Sequence, residues 1–302
     1  MPPMDYAEAR DAFFTPRPDA VVGTGFTSPA RTLRDAVEPL AAVSFWSAPS
    51  NEAYAALGLD FLTGYVWSRS SVLGEADPAV VAAAFGVFEP GAVVGLLAAA
   101  REAATLQQVR AAREDGAVQA LHLALGEPDG VEPVAEALLR AADAADVVGR
   151  PLFAGARAQQ VPQDPWGRLW HAATLLRECR GDSHLAACVA YGLTGLEANL
   201  LTEAWVGYEP LSYTGTRAWS PESMAAAQAA LRDRGLLADG RLTEAGSALR
   251  QAVERATDLA MAPVVAALGD DLDDVVARCS AWGQALTEHG WFPPDPYKHA
   301  AG

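Results

Sequence analysis

The chain has 302 residues, of which 51% are hydrophobic, and a formal net charge of −16. That is enough apolar material for one large core, or for two smaller cores sharing an interface. So acidic a surface repels the phosphate backbone and argues against non-specific binding to nucleic acid.

Residues 1–29 carry five prolines and scattered glycines, and the sequence predicts an extended arm there. Residues 30–164 read as a helical bundle. Ser28-Pro29 suits the start of a first helix whose Leu33, Val37, Leu40 and Ala41 recur at helical spacing. A short helix opening at Ser50 or Asn51 and ending at Gly58 comes next, then one over FLTGYVWSRSSVLG. Asp77-Pro78 caps another, FGVFEP links it to a helix ending near Ala103, and Thr105 to Leu125 and Val131 to Val148 complete the half. No segment alternates long enough to be a strand.

Asp164-Pro165 predicts a helix to about Arg180, with Gly181 as its stop and Asp182 or Ser183 as the cap of a new helix to Tyr191. Further helices are expected from Thr194 to Trp205 and from Ser220-Pro221 to Gly235. LLADGRLT then forms two short strands about an Asp239-Gly240 turn. Thr243 caps the following helix. Residues 165–260 are thereby a winged helix-turn-helix in order of elements, and residues 261–302 a final helix and tail. The fold class expected is mainly α: an N-terminal helical bundle packed on a C-terminal winged helix-turn-helix with a small β-hairpin wing.

Two resemblances support this division. AAAQAALRDRGLLADGRLTEAGSALR, residues 225–250, resembles the end of a MarR-type winged helix, with Thr243, Glu244, Ala245 and Gly246 matching its last motif. The whole chain also resembles an actinobacterial helix-turn-helix family with the stretch WHAATLLREHRGDGHVAAL, present here as Trp170 to Ala187 with Cys179 for histidine and Ser183 for glycine. Near Glu38-Pro39, Ala41 stands where that family's pattern has another histidine, which weighs against a multi-histidine metal site. The family resemblance implies a fold and carries no activity with it.

The chemistry-bearing residues concentrate in the 166–191 stretch. Trp170, Arg177 and Arg180 lie along one helical face, which suits stacking an aromatic ligand and gripping its carboxylate or phosphate, although tryptophans at this spacing also serve as core. His184, read as lying in the first turn after a break, faces Asp182 or His171 as a candidate general base, with backbone capping as the plainer role. Tyr65 and Arg69 share a face, and Phe85 and Phe88 flank a turn, so these four offer a second pocket wall or simple packing. No nucleotide-binding or nucleophile-elbow motif occurs, and no cofactor is identified.

The three cysteines form no CxxC pair, so neither a disulfide nor a metal site is expected. MPPMDYAEARDAFF has neither a basic nor an apolar leader region, and no apolar run reaches membrane-spanning length, which predicts a cytoplasmic protein. The helix expected to read DNA carries Glu222 and Asp233, with its cations, Arg232 and Arg234, only at its far end. The leading expectation is therefore a small-molecule binder, its ligand aromatic and anionic, with or without chemistry. Alternatives are a ligand-responsive transcription regulator and a protein scaffold; a homodimer is compatible with each.

Overall fold

The computed structural model describes residues 4–13, 26–127 and 129–293. In chain order the helices are α1 (Tyr6–Phe13), α2 (Pro29–Trp46), α3 (Ala48–Ala55), α4 (Phe61–Ser70), α5 (Pro78–Phe85), α6 (Pro90–Ala103), α7 (Leu106–Leu125), α8 (Val131–Asp143), α9 (Pro151–Arg157), α10 (Pro165–Ala190), α11 (Gly195–Val206), α12 (Ser212–Gly215) and α13 (Pro221–Asp233). The strands β1 (Leu237–Ala238) and β2 (Arg241–Leu242) follow, then α14 (Glu244–Leu268) and α15 (Leu272–Glu288).

Helix starts follow their capping chemistry. Ser28, Asp60, Asp77, Asp164, Ser220 and Thr243 each accept a backbone N–H of the first turn, and Thr105 and Thr194 complete reciprocal capping boxes with Gln108 and Glu197. The hairpin turns where Asp239-Gly240 predicts it. Both residues adopt positive φ, +50° and +73°, as a two-residue turn of this hand requires, and Leu237 pairs with Leu242.

Three cores result. The largest surrounds α2 and α10, with Leu33, Leu40, Leu138, Phe153, Trp166 and Leu169 nearly inaccessible to solvent. The second gathers Tyr54, Trp67, Phe85 and Leu97 from α3 to α7. The third, made by Leu196, Leu200, Leu231, Leu237 and Val253, belongs to the C-terminal module of α11 to α14. Two long helices tie this module to the bundle: α10 gives Trp166 to Cys179 to the first core and Cys188 to the third, while α14 gives Val253 to the third and Met261 to Leu268 to the first.

Several local expectations differ, among them the start of α3, which is Ala48 with Ser47 as its cap, and the short α12 in what reads as a loop. The helix does not stop at Gly181: α10 runs unbroken for 26 residues, and Gly181 has helical backbone. The polar residues read there as a new cap have other partners. Ser183 Oγ donates to the Cys179 carbonyl at 2.6 Å, one turn back, and Asp182 Oδ2 accepts from Phe153 N at 2.9 Å, at the start of α9. That short α9 lies where no element was expected. α8 ends at Asp143, five residues early, and the N-terminal arm contains a helix, α1, whose Ala9 packs with Phe61 and Leu62 while Tyr6 Oη donates to the Trp46 carbonyl at 2.6 Å. The arm's Pro16 and Pro18 lie outside the described residues.

Candidate functional site

Seven of the residues singled out from sequence meet at one cavity of about 120 Å³: Tyr65, Arg69, Phe85, Phe88, Arg177, Arg180 and His184. The bundle contributes α2, α4 and the FGVFEP link; the other wall comes from the second half of α10, from α11 and from the segment after it. A second lobe of about 110 Å³ shares Glu38, Tyr65, Phe88 and Arg177 and extends to Phe45 and Phe61.

One wall is aromatic. Tyr65 lies 6.2 Å from Phe85 and 5.7 Å from Phe88 between ring centroids, and Phe45 meets Tyr65 edge-on at 5.0 Å. Five cations, Arg34, Arg69, Arg177, Arg180 and Arg217, also border the space, with the Glu38 carboxylate among them. Several sit over rings: Arg69 is 4.8 Å from the Phe85 centroid, and Arg217 is 4.4 Å from Tyr213 and 5.0 Å from Phe88.

Two buried carboxylates hold three of these cations in place. Glu178 receives both Arg69 Nε (3.1 Å) and Nη2 (2.9 Å) and also Arg177 Nη1 (2.8 Å), while Arg177 Nε reaches Glu38 at 3.2 Å. Burial alone would raise the Glu178 carboxyl, but Arg69 and Arg177 outweigh it and keep it down at about 2. One turn on, Glu254 of α14 takes Arg180 Nη2 (2.7 Å) and Arg250 Nη1 (2.5 Å), with Arg31 Nη1 at 3.5 Å. Here too burial is overcome, by Arg250 and Arg180, and the carboxyl is held below its ordinary range. Arg217 differs from the other four in having no carboxylate partner among the described residues. Its Nη1 donates to Thr216 Oγ1 at 2.9 Å.

The loop bearing Arg217 and Tyr213 is shaped by a third buried carboxylate. Glu203 accepts the backbone N–H groups of Leu211, Tyr213 (3.0 Å) and Thr214 (2.8 Å), capping α12 from α11. The opposing FGVFEP link is bonded to the same region, Val87 O accepting from Asn199 Nδ2 (2.6 Å) and Trp219 Nε1 (2.9 Å), and Arg217 O accepting from Glu89 N (2.9 Å). Both cavity walls are thus tied together at one edge.

His184 sits inside α10, not at a helix N-terminus. Thr257 Oγ1 donates to Val253 O (2.8 Å), so at 3.2 Å it accepts from Nδ1–H of a neutral His184, whose Nε2 faces Cys188 Sγ at 3.7 Å. Burial first, and then Arg250, push this imidazole down to about 3, which makes it a weak base. The grouping of His184 with Asp182 and His171 is not formed, because Asp182 is bonded to α9 and His171 lines a different cavity. Trp170 likewise leaves the Arg177 and Arg180 side and stacks under Arg113, 5.1 Å from its guanidinium carbon. All three cysteines are buried free thiols, and among the described residues no group of three or more His, Cys, Asp or Glu could hold a metal.

Arg34, Glu38, Tyr213 and Arg217 were missed by sequence reasoning. Glu38-Pro39 stood out as a pattern but without a partner, and Tyr213 lay in a loop with no periodicity to orient it.

A family match over most of the chain decides where it belongs. The chain belongs to a helix-turn-helix family. The match runs over residues 30–293, so membership covers the N-terminal bundle and the pocket together with the C-terminal module. No curated protein and no solved structure matches the chain. No single helix among the described residues is long and apolar enough to cross a membrane.

Proposed function

We propose that this helix-turn-helix family member binds a small aromatic anion, in the cytoplasm, at the cavity between its bundle and its C-terminal module. The observation that carries the reading is the convergence of five arginines and an aromatic wall on one cavity in a protein whose net charge is −16. An acidic protein that concentrates cations in one pocket favours anions there and disfavours them elsewhere. Planar guanidinium groups suit carboxylate or phosphate, and the Tyr65, Phe85 and Phe88 rings suit a flat ligand body. Arg217, with no carboxylate partner among the described residues, is the natural cation to meet the ligand.

The test is a thermal-shift and calorimetric screen of aromatic carboxylates and aryl phosphates against their neutral amides. Anions should bind and amides should not. Arg217→Ala should weaken binding by about tenfold or more, ~1.4 kcal/mol, without lowering the melting temperature of the free protein. Equal binding of acids and amides, or unchanged affinity in the variant, would refute the site.

A second reading, a ligand-responsive transcription regulator, is favoured by the family and draws on the resemblance of residues 225–250 to a MarR-type winged helix. Ligand touching both walls would bias how the module sits on the bundle. Against it, α13 offers few free cations, since Arg234 donates to Glu197 at 3.0 Å and to the Gly192 carbonyl. Electrophoretic shift at low salt with the gene's own upstream DNA decides: a retarded band released by ligand supports the regulator, and no band at any protein concentration excludes it.

A further inference from the structure

One to two turns nearer the N-terminus of α10 lies a separate cavity of about 60 Å³, between α7, α10 and the segment following α9. Its centre is Arg113, which is 5% exposed and has neither a hydrogen bond nor an ion pair with any described residue. Buried arginines are ordinarily paired, because an uncompensated charge in the interior is strongly unfavourable. Around it stand further donors without partners: Arg113 Nε itself, Trp170 Nε1 and Thr174 Oγ1 are all buried and unsatisfied. His171, also buried, is held neutral at about 4 by burial and by Arg113.

The neighbouring charges do not compensate Arg113. Glu178 acts on it through space but is already committed to Arg69 and Arg177. Glu114 borders the cavity half-buried, its carboxyl raised by burial and by Asp115 and Asp164, so its charge is the most readily neutralised there. Arg110 adds a second guanidinium, with Nε and Nη2 on the Ser71 carbonyl at 3.0 and 2.6 Å. Water could satisfy the orphan N–H and O–H groups but would not balance the charge. An oxyanion does both.

We infer that this second cavity is a binding site for a small free oxyanion, a short carboxylate or inorganic phosphate, held by Arg113 with Thr174 and Trp170 as further donors. The volume admits roughly four to six waters, so it takes an ion of a few heavy atoms and excludes the ring that the first pocket is built for. The two sites share no lining residue, and this one stands or falls independently of the aromatic-anion pocket.

The probes are acetate and phosphate, titrated at constant ionic strength against chloride, with melting temperature and calorimetry as readouts. A saturable rise in melting temperature for at least one is expected, unchanged in Arg217→Ala. Arg113→Met, which keeps the stem and removes the charge, should abolish the effect while leaving the free protein at least as stable as wild type. Thr174→Val, of nearly equal volume, should lower affinity several-fold with the fold intact. Should Arg113→Met fail to fold, crystals soaked in selenate settle the matter, since an anomalous peak within hydrogen-bond distance of the Arg113 guanidinium supports the site. Equal stabilisation of wild type and variants, no saturable effect of either anion, or no selenium peak at Arg113 would overturn it.

Discussion

At the residue scale, the buried carboxylates decide where the pocket arginines point. Glu178 anchors Arg69 and Arg177 from the interior, so removing its charge while keeping its shape leaves Arg177 with Glu38 and Arg69 with no carboxylate partner among the described residues. Glu178→Gln is expected to destabilise the protein by about 3–5 kcal/mol, as loss of one partner from a buried ion pair does, measured by urea denaturation. Asp182 acts in the opposite sense. Burial, its largest influence, pushes this carboxyl up from 3.8 to about 7, although the Phe153 N–H favours the ionised form. Since the folded state prefers the proton, its contribution to stability is whole below about pH 4 and is lost as pH rises through 7. Asp182→Asn, which keeps an oxygen for Phe153, should remove that loss and be more stable than wild type at pH 8 by up to ~4 kcal/mol, with no advantage at pH 4; a difference independent of pH would contradict this. Neither role could be read from sequence. Asp182 follows a glycine and precedes a serine, which looks like a helix stop and a new cap, whereas its true partner is 29 residues away.

At the element scale, two glycines measure how well local signals predict helices. Gly181 lies within α10, where an added Cβ would meet only Glu178 Oε2, at 4.0 Å. Gly181→Ala is therefore expected to stabilise by about 0.5–1 kcal/mol through helix propensity, read from the urea midpoint. Were the helix to end there in a left-handed residue, alanine would destabilise instead. Gly195, at the start of α11, is the contrary case, since a Cβ would lie 1.9 Å from the Gly86 carbonyl oxygen. Gly195→Ala forces α11 off the FGVFEP link, with an expected loss of about 1–3 kcal/mol and weaker binding of the proposed aromatic anion, because that contact aligns the two cavity walls. Caps at Asp77, Asp164, Thr194, Ser220 and Thr243 were legible because a cap is a matter of three or four consecutive residues. Continuity of a helix through Gly181 was not, because the cost of one glycine is small against the packing of a 26-residue helix in two cores.

At the scale of the whole molecule, α10 and α14 join the bundle to the C-terminal module, and Glu254 on α14 is bonded to Arg180 on α10 beside the pocket. Both histidines on α10 are held neutral, His171 at about 4 and His184 at about 3, burial being the larger cause in each. A depressed folded-state value means stability that is present above about pH 6.5 and lost on acidification. Because Asp182 works the other way between pH 4 and 7, the wild-type profile is flattened. In the Asp182→Asn background, stability should fall on going from pH 7 to pH 4, and adding His171→Gln and His184→Gln should remove most of that fall. A slope that survives all three substitutions would show that other groups govern it.

By itself, the sequence determined that the protein is mainly helical, where most helices begin, that a short hairpin turns at Asp239-Gly240, and which ten side chains carry candidate chemistry. These follow from periodicity, capping and turn chemistry, which act over a few residues. Tertiary structure alone decided the grouping of those side chains: Tyr65, Arg69, Phe85 and Phe88 come from the bundle to meet Arg177, Arg180 and His184, while Trp170 and His171, on the same helix, turn to Arg113. The physical reason is that the buried carboxylates Glu178 and Glu254 also take partners from other helices. Glu178 meets Arg69 across 109 residues and Arg180 meets Glu254 across 74, and no spacing along the chain records such a pair.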